Sequence, residues 1–327
     1  MEASDKIIIV GAGSIGTALG QTLARKKGID VTLLSIEKDV VDSITGSRNN
    51  FKYFPNIKLS KYLKATTDTT ILKEAGIIFL AIPSNVTVDY VLDHRHLIPK
   101  EAILLNLAKR FSRDQKTITE AISAQMPNPV CSFKGPTFAR ELINKLPTGF
   151  TVGTKVKDHS QLFTDLFYDT PIHVDFTDDV KGVEVLSILK NIYAIATGIV
   201  DAHFNSPNLR FLFLTKAFNE MREILVRYGG KESTLFRYCG YGDFTLTALN
   251  DLSRNRTLGL LIGKGFFTDD ISDKVVLEGK IAVGVFCEEI SQKSKMNSHY
   301  PIISELYKVF NEKNYDVSSF VSKVIDT

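Results

Sequence analysis

Short apolar runs rich in β-branched residues recur through the first half of the chain: IIIV, VTLL, IIFLAI, AILLNL, PVCSF, GFTVG and IHVDF. Between them lie stretches with apolar residues at helical spacing, among them 84–95 and 114–126. Strands alternating with amphipathic helices predict a mostly parallel sheet covered on both faces. Right-handed crossovers then make residues 1–177 a doubly wound α/β domain that holds ligands at the C-terminal ends of its strands. The segment FKYFPNIKLSKYL, 51–63, breaks the alternation and reads as an ordered loop. From Asp178 onward strand signals almost vanish, and apolar positions recur at helical spacing in 180–200, 211–228, 281–292 and 302–312. Residues 178–327 are therefore expected to form an all-helical domain. With no long Pro-, Gly- or Ser-rich linker in the sequence, the halves are expected to pack closely around a cleft.

The first strand carries the most specific signal. KIIIVGAGSIG (6–16) ends an apolar run in Gly11-x-Gly13-x-x-Gly16 and passes directly into the helical stretch TALGQTLARKK. Gly11 permits a tight turn, Gly13 lets the backbone approach a pyrophosphate, Gly16 allows close packing of helix on strand, and the helix start offers N–H groups to phosphate. A second strand, DVTLLS, follows one helix length later, so the domain reads as a Rossmann-type dinucleotide-binding fold. That strand ends at Ser35, followed by Ile36, Glu37 and Lys38. An acidic side chain at the ribose would repel a 2′-phosphate, whereas Ser35 with Lys38 or Arg25 would accept one; the balance leans towards NAD over NADP.

A length of 327 residues suits two domains, and 44% hydrophobic with 24% charged residues excludes a disordered, collagen-like or coiled-coil chain. The longest apolar run, IIFLAIP at 77–83, is far too short to span a bilayer, and the acidic start MEAS lacks the basic residues of a signal peptide. A cytoplasmic location and no membrane insertion are the resulting expectations. Cys131, Cys239 and Cys287 are odd in number, widely separated and without CxxC spacing, so reduced thiols are expected rather than disulfides or a zinc site. A net charge of +3 with both signs interspersed argues against a nucleic-acid surface and directs attention to a pocket for a small anion.

Two clusters could supply chemistry. VEVLSILKNIYAIATGIVDA (183–202) is strongly apolar around Lys190 and Asn191. The lysine either snorkels to solvent from a core helix or is a proton carrier whose pKa is lowered by partial burial and neighbouring cations. In CGYGDFTLTALNDLSRNR (239–256) glycines flank Asp243, which is either a helix cap or a functional carboxylate. Ser253-Arg254-Asn255 beyond it unites a hydroxyl, a planar cation and an amide suited to phosphate. Three loops that follow expected strands share one sheet edge: AIPSN (81–85), NLAKRF (106–111) with Lys109, and KGPTFARE (134–141) with Thr137.

Together these residues resemble the NAD(P)-dependent glycerol-3-phosphate dehydrogenase family. The resemblance runs in order through GAGSIGTAL, NNFKYFPNIKLSKYLKATTD, FLAIPSN, NLAKRF, GPTFARE with LPTGFTVG, LKNIYAIATGIVDA, GYGDF with SRNR, and VVLEG. It implies an oxidoreductase that interconverts sn-glycerol 3-phosphate and dihydroxyacetone phosphate by hydride transfer with NAD(P). Lys190 would be the general acid and base, Asp243 would interact with it and with the substrate hydroxyls, and Lys109 would add cationic stabilisation. The substrate and its phosphate would be lined by Lys109, Gly135, Thr137, Ser253, Arg254 and Asn255, with Asn191 and Thr247 close by. Ser14, Ile15, Ala139, Val276 and Glu278 would contact the dinucleotide, as would Lys109 and Arg254. A homodimer is implied as well, and no metal.

The chain departs from the family pattern at Lys134-Gly135-Pro136, Ala108-Lys109-Arg110, Asp201-Ala202 and Thr215-Lys216-Ala217, where Ser-Gly-Pro, Thr-Lys-Gly, Asp-Gly and Thr-Arg-Gly are implied. Each change is expected to add bulk or charge near the cleft. Two other readings stay open: a dehydrogenase of the same build for another small phosphorylated hydroxy compound, and a nonenzymatic NAD(P)-binding regulator. Lys190, Asp243 and Arg254 together argue against the regulator, since a sensor needs no buried proton carrier.

Overall fold

Eight strands form one sheet: β1 (Lys6–Val10), β2 (Asp30–Leu34), β3 (Leu63–Thr66), β4 (Ile77–Leu80), β5 (Ile103–Asn106), β6 (Val130–Lys134), β7 (Thr148–Gly153) and β8 (Ile172–Thr177). Their order in the computed structural model, which describes residues 6–112, 116–266, 280–288 and 300–326, is β3-β2-β1-β4-β5-β6-β7-β8. Each of the seven expected runs overlaps one strand. β3 is an addition, built from LKAT, which starts at the last residue of the segment read as a loop and is too short and polar to signal a strand.

Both faces of the sheet are covered, as the near-continuous apolar runs require. Along β1, Ile7 and Ile9 enter one core cluster while Ile8 and Val10 enter the other. Each such side chain contributes about 1.5–3 kcal/mol on burial. The ladder is parallel except between β6 and β7. The connection there carries only the helix α5 (Ala139–Ile143), about 8 Å long, too short to run back along a strand and bring the next one in parallel.

Contacts divide the chain into two compact units, Met1–Glu184 and Val185–Thr327. The division falls inside the helix α7 (Val180–His203) rather than at the end of β8. Its first turns belong to the sheet unit because Val180 and Val183 crowd Gly153 of β7, and Glu184 bonds to Asn106 and Thr119.

The second unit is helical. It contains most of α7, then α8 (Pro207–Arg227), α9 (Asp243–Leu249), α10 (Arg254–Gly263), the helical residues 280–288, and the helices Pro301–Asn311 and Phe320–Ile325. By length and composition α7 could cross a bilayer, although polar residues such as Lys190 and Asn191 interrupt its apolar run. However, 94% of its apolar window is buried inside the protein, as befits a core helix that is hydrophobic nearly all round.

Candidate functional site

The strand order reverses at β1, the switch point at which doubly wound sheets hold ligands. A cavity of about 660 Å³ lies there, at the C-terminal ends of β1, β2 and β4, with Gly11, Gly13, Ser35, Glu37 and Tyr53 among its lining residues. Gly11 has φ +107°, and a Cβ on it would come 2.6 Å from the Ala81 carbonyl oxygen. A Cβ on Gly16 would come 2.0 Å from the oxygen of Gly11, so the first turn of α1 (Ser14–Leu23) sits directly against the loop. At Gly13, by contrast, the Cβ position is open space, and α1 begins with no side-chain cap and no acidic residue in its first turn. An open backbone face beside an uncapped helix start fits a dinucleotide diphosphate.

The loop is pinned from a segment to which the sequence assigned no role. Buried Asn50 donates to the Ala12 carbonyl and to Thr17 Oγ1, both at 2.9 Å, and the Thr17 hydroxyl donates to the same carbonyl at 3.0 Å. At the end of β2, Ser35 Oγ accepts from the Glu37 amide at 3.2 Å. Glu37 pairs with Lys52 and accepts from the Tyr53 hydroxyl at 3.4 Å. Burial, followed by the charge of Glu37, raises the pKa of that phenol. Lys38, one of the two cations considered for a 2′-phosphate, pairs with Asp42 at 2.6 Å instead.

The other expected residues of the first unit lie at or beyond the ends of β5 and β6. Lys109 is half-buried in the loop after β5. A Cβ on Gly135 would meet Gly149 O at 2.1 Å, and the Thr137 hydroxyl bonds with that of Thr148 at 2.6 Å. Ile15 and Ala139 pack against the sheet core. Two departures expected to add charge near the substrate are turned elsewhere. Lys134 is wholly buried and donates to the Asn106 carbonyl, and Lys216 donates to the carbonyl of Ile325, both at 2.7 Å, because each long stem reaches an inward acceptor.

In the second unit Lys190 is 4% exposed, which removes the snorkelling alternative. Its ammonium donates to Asp243 Oδ1 and, at 2.9 Å, to Thr247 Oγ1, whose own hydroxyl donates to the Asp243 carbonyl at 2.7 Å. A π-helical turn, Tyr238–Gly242, delivers Asp243 to the first position of α9. Gly242, not Asp243, is the cap of that helix, so the capping alternative falls too.

Asn191 is half-buried beside Lys190. Ser253 caps α10 by accepting from the Arg256 amide at 3.3 Å, which leaves Arg254 exposed at the helix start with Asn255 half-buried behind it. Arg256 is the structural member of the pair, bound to Asp201 at 2.8 Å and Asp251 at 2.5 Å, while Asp201 also takes Arg210 at 2.6 Å. α10 packs backbone to backbone on α7: a Cβ on Gly259 would lie 1.9 Å from Ile195 O. The expected cofactor residues Val276 and Glu278 lie outside the described residues.

Models for the N-terminus and C-terminus of NAD-dependent glycerol-3-phosphate dehydrogenase match residues 6–160 and 179–322. The chain is 35% identical to the glycerol-3-phosphate dehydrogenase (NAD(P)+) of Halothermothrix orenii, over 95% of its own length and 92% of the relative's. Against a chloroplastic glycerol-3-phosphate dehydrogenase (NAD+) of Arabidopsis thaliana the identity is 31%, covering 96% and 76%. The crystal structure of glycerol-3-phosphate dehydrogenase from Coxiella burnetii superposes with a TM-score of 0.86 at 28% identity, covering 98% of this chain and 99% of that one.

Proposed function

The chain belongs to the NAD-dependent glycerol-3-phosphate dehydrogenase family, and from that premise we propose that it interconverts sn-glycerol 3-phosphate and dihydroxyacetone phosphate by hydride transfer with a nicotinamide dinucleotide. The observation that carries the reading is Lys190, buried in an apolar helix yet held by the side chains of Asp243 and Thr247. A buried ammonium costs desolvation energy that a leucine would not, and a carbonyl oxygen that must be protonated accounts for its presence.

Gly11, Gly13, Ser14, Ile15 and Gly16 would hold the dinucleotide phosphates, with Ser35 and Glu37 at the ribose. When bound, the dinucleotide supplies the hydride. Lys190 donates its proton to the developing alkoxide of the reduced carbonyl and, as the amine, takes it back in the oxidation direction. Asp243 and Thr247 aim the lysine, and Lys109 adds positive charge where the alkoxide forms. Arg254 and Asn255, in the first turn of α10, hold the substrate phosphate, with the positive end of the helix behind them. Glu37 disfavours a 2′-phosphate, so NAD is the preferred cofactor. The active form is a homodimer, an assignment that light scattering would remove by returning the mass of one protomer.

The deciding experiment follows absorbance of NADH and NADPH on addition of dihydroxyacetone phosphate. Turnover is expected with both, at the higher kcat/KM for NADH. Binding of the cofactors without consumption would overturn the substrate assignment, and a higher value for NADPH would reverse only the preference.

A further inference from the structure

At the end of β6 the ammonium of wholly buried Lys134 donates to the main-chain carbonyl of Asn106 at 2.7 Å and stands 3.8 Å from Glu184 Oε1. Glu184, 2% exposed, accepts from the Thr119 amide at 3.1 Å and from Asn106 Nδ2. Asn106 in turn brackets the chain just beyond it: Oδ1 accepts from the Ala108 amide at 2.9 Å, and Nδ2 donates to the Ala108 carbonyl at 3.4 Å. A lysine, a glutamate and an asparagine, all shut away from water, thus grip residues 106–108, the backbone that leads directly into Lys109.

A strand end does not require charge to terminate it. An apolar pair of the same volume is commonly at least as stabilising as a buried ion pair, so such a pair is better explained by the geometry it specifies. We propose that Lys134 is a positioning residue: through Asn106 it locks the loop after β5 so that the Lys109 ammonium is presented in one orientation. The proposal rests on the functional reading above, in which Lys109 touches the substrate.

The test is steady-state reduction of dihydroxyacetone phosphate by NADH, with melting temperatures, for the wild type, Lys109→Ala, Lys134→Met, the double variant of these two, and Lys134→Met/Glu184→Gln. Lys134→Met is expected to lower kcat on the order of tenfold to a hundredfold, with the KM for NADH nearly unchanged, because misplacement acts on the chemical step. In the Lys109→Ala background the same substitution should cost less than about threefold, since its target is gone. Lys134→Met/Glu184→Gln balances the charge and leaves an acceptor for Thr119, so melting temperature should recover while kcat does not. Equal losses in the two backgrounds, or recovery of kcat together with melting temperature, would overturn the proposal alone. A wild type that binds NADH yet leaves dihydroxyacetone phosphate unreduced would overturn the functional reading and, with it, the proposal.

Discussion

Lys134 with Glu184 in the sheet unit and Lys190 with Asp243 in the helical unit are both lysine–carboxylate pairs shut away from water. At the first, the ammonium also binds a main-chain carbonyl and the carboxylate also binds a main-chain amide. At the second, the ammonium meets a carboxylate and a hydroxyl, both on side chains, where a π-helical turn runs into α9. Under the proposed reading the Lys190 proton passes to and from the substrate, whereas the Lys134 ammonium is tied to a main-chain carbonyl and holds a loop. Burial and pairing alone therefore do not separate an acid–base group from a scaffold.

The largest effect that could break this contrast is that of Lys190→Ala, expected to lower kcat by about 10²–10⁴-fold. An unchanged kcat in saturating assays would leave the two pairs equivalent. Next in size is a pH effect at a third buried carboxylate, Glu220, whose donors are neutral: the Tyr193 hydroxyl at 2.8 Å and the amides of Ile302 and Ile303 at 3.0 and 2.9 Å. Burial, partly offset by those hydrogen bonds, raises its pKa from 4.5 to about 7. Because the folded state keeps a proton that the unfolded chain gives up near 4.5, the stabilisation is complete below that pH and is lost as pH rises to about 7. The loss amounts to about 3 kcal/mol. Denaturant titrations between pH 4.5 and 8 should show that decline in the wild type and not in Glu220→Gln; parallel curves would remove Glu220 as the cause.

Smaller effects sharpen the functional side. Arg254→Ala should raise the KM for dihydroxyacetone phosphate about tenfold or more with little change in kcat, the signature of lost binding. A fall in kcat with KM intact would move Arg254 from the phosphate to the reacting centre. Least of all, Glu37→Gln should shift the ratio of kcat/KM for NADPH over NADH upward several-fold, on the order of 1 kcal/mol, by removing the repelling charge and releasing Lys52. A ratio that stays put would place cofactor choice elsewhere.

Much of this was legible in the residues. The glycine loop, the apolar helix with a lysine at its middle and the polar turn before α10 announce themselves because each is a local pattern of backbone freedom, periodicity or composition. Asn50 did not, because nothing in NNFKYF signals that its amide reaches the Ala12 carbonyl. Lys134 was read as charge added near the substrate, since a lysine in a loop after a strand is ordinarily solvated and only the neighbouring Asn106 and Glu184 make an inward position tolerable. Asp243 could be a cap or a partner until α9 was seen to be capped by Gly242.

By itself, then, the sequence determined what short stretches of chain decide: seven of the eight strands of the sheet, the helical character of the second half and where a diphosphate can approach the backbone. Those follow from side-chain periodicity and from the φ range open to glycine, neither of which needs a distant partner. Only the tertiary structure decided that Lys190 meets a carboxylate 53 residues away, that Lys134 turns inward to a carbonyl 28 residues away, and that β7 runs against β6. The physical reason is that the cost of burying a charge is set by whatever partner the fold brings to it, and that partner is invisible until the chain has closed on itself.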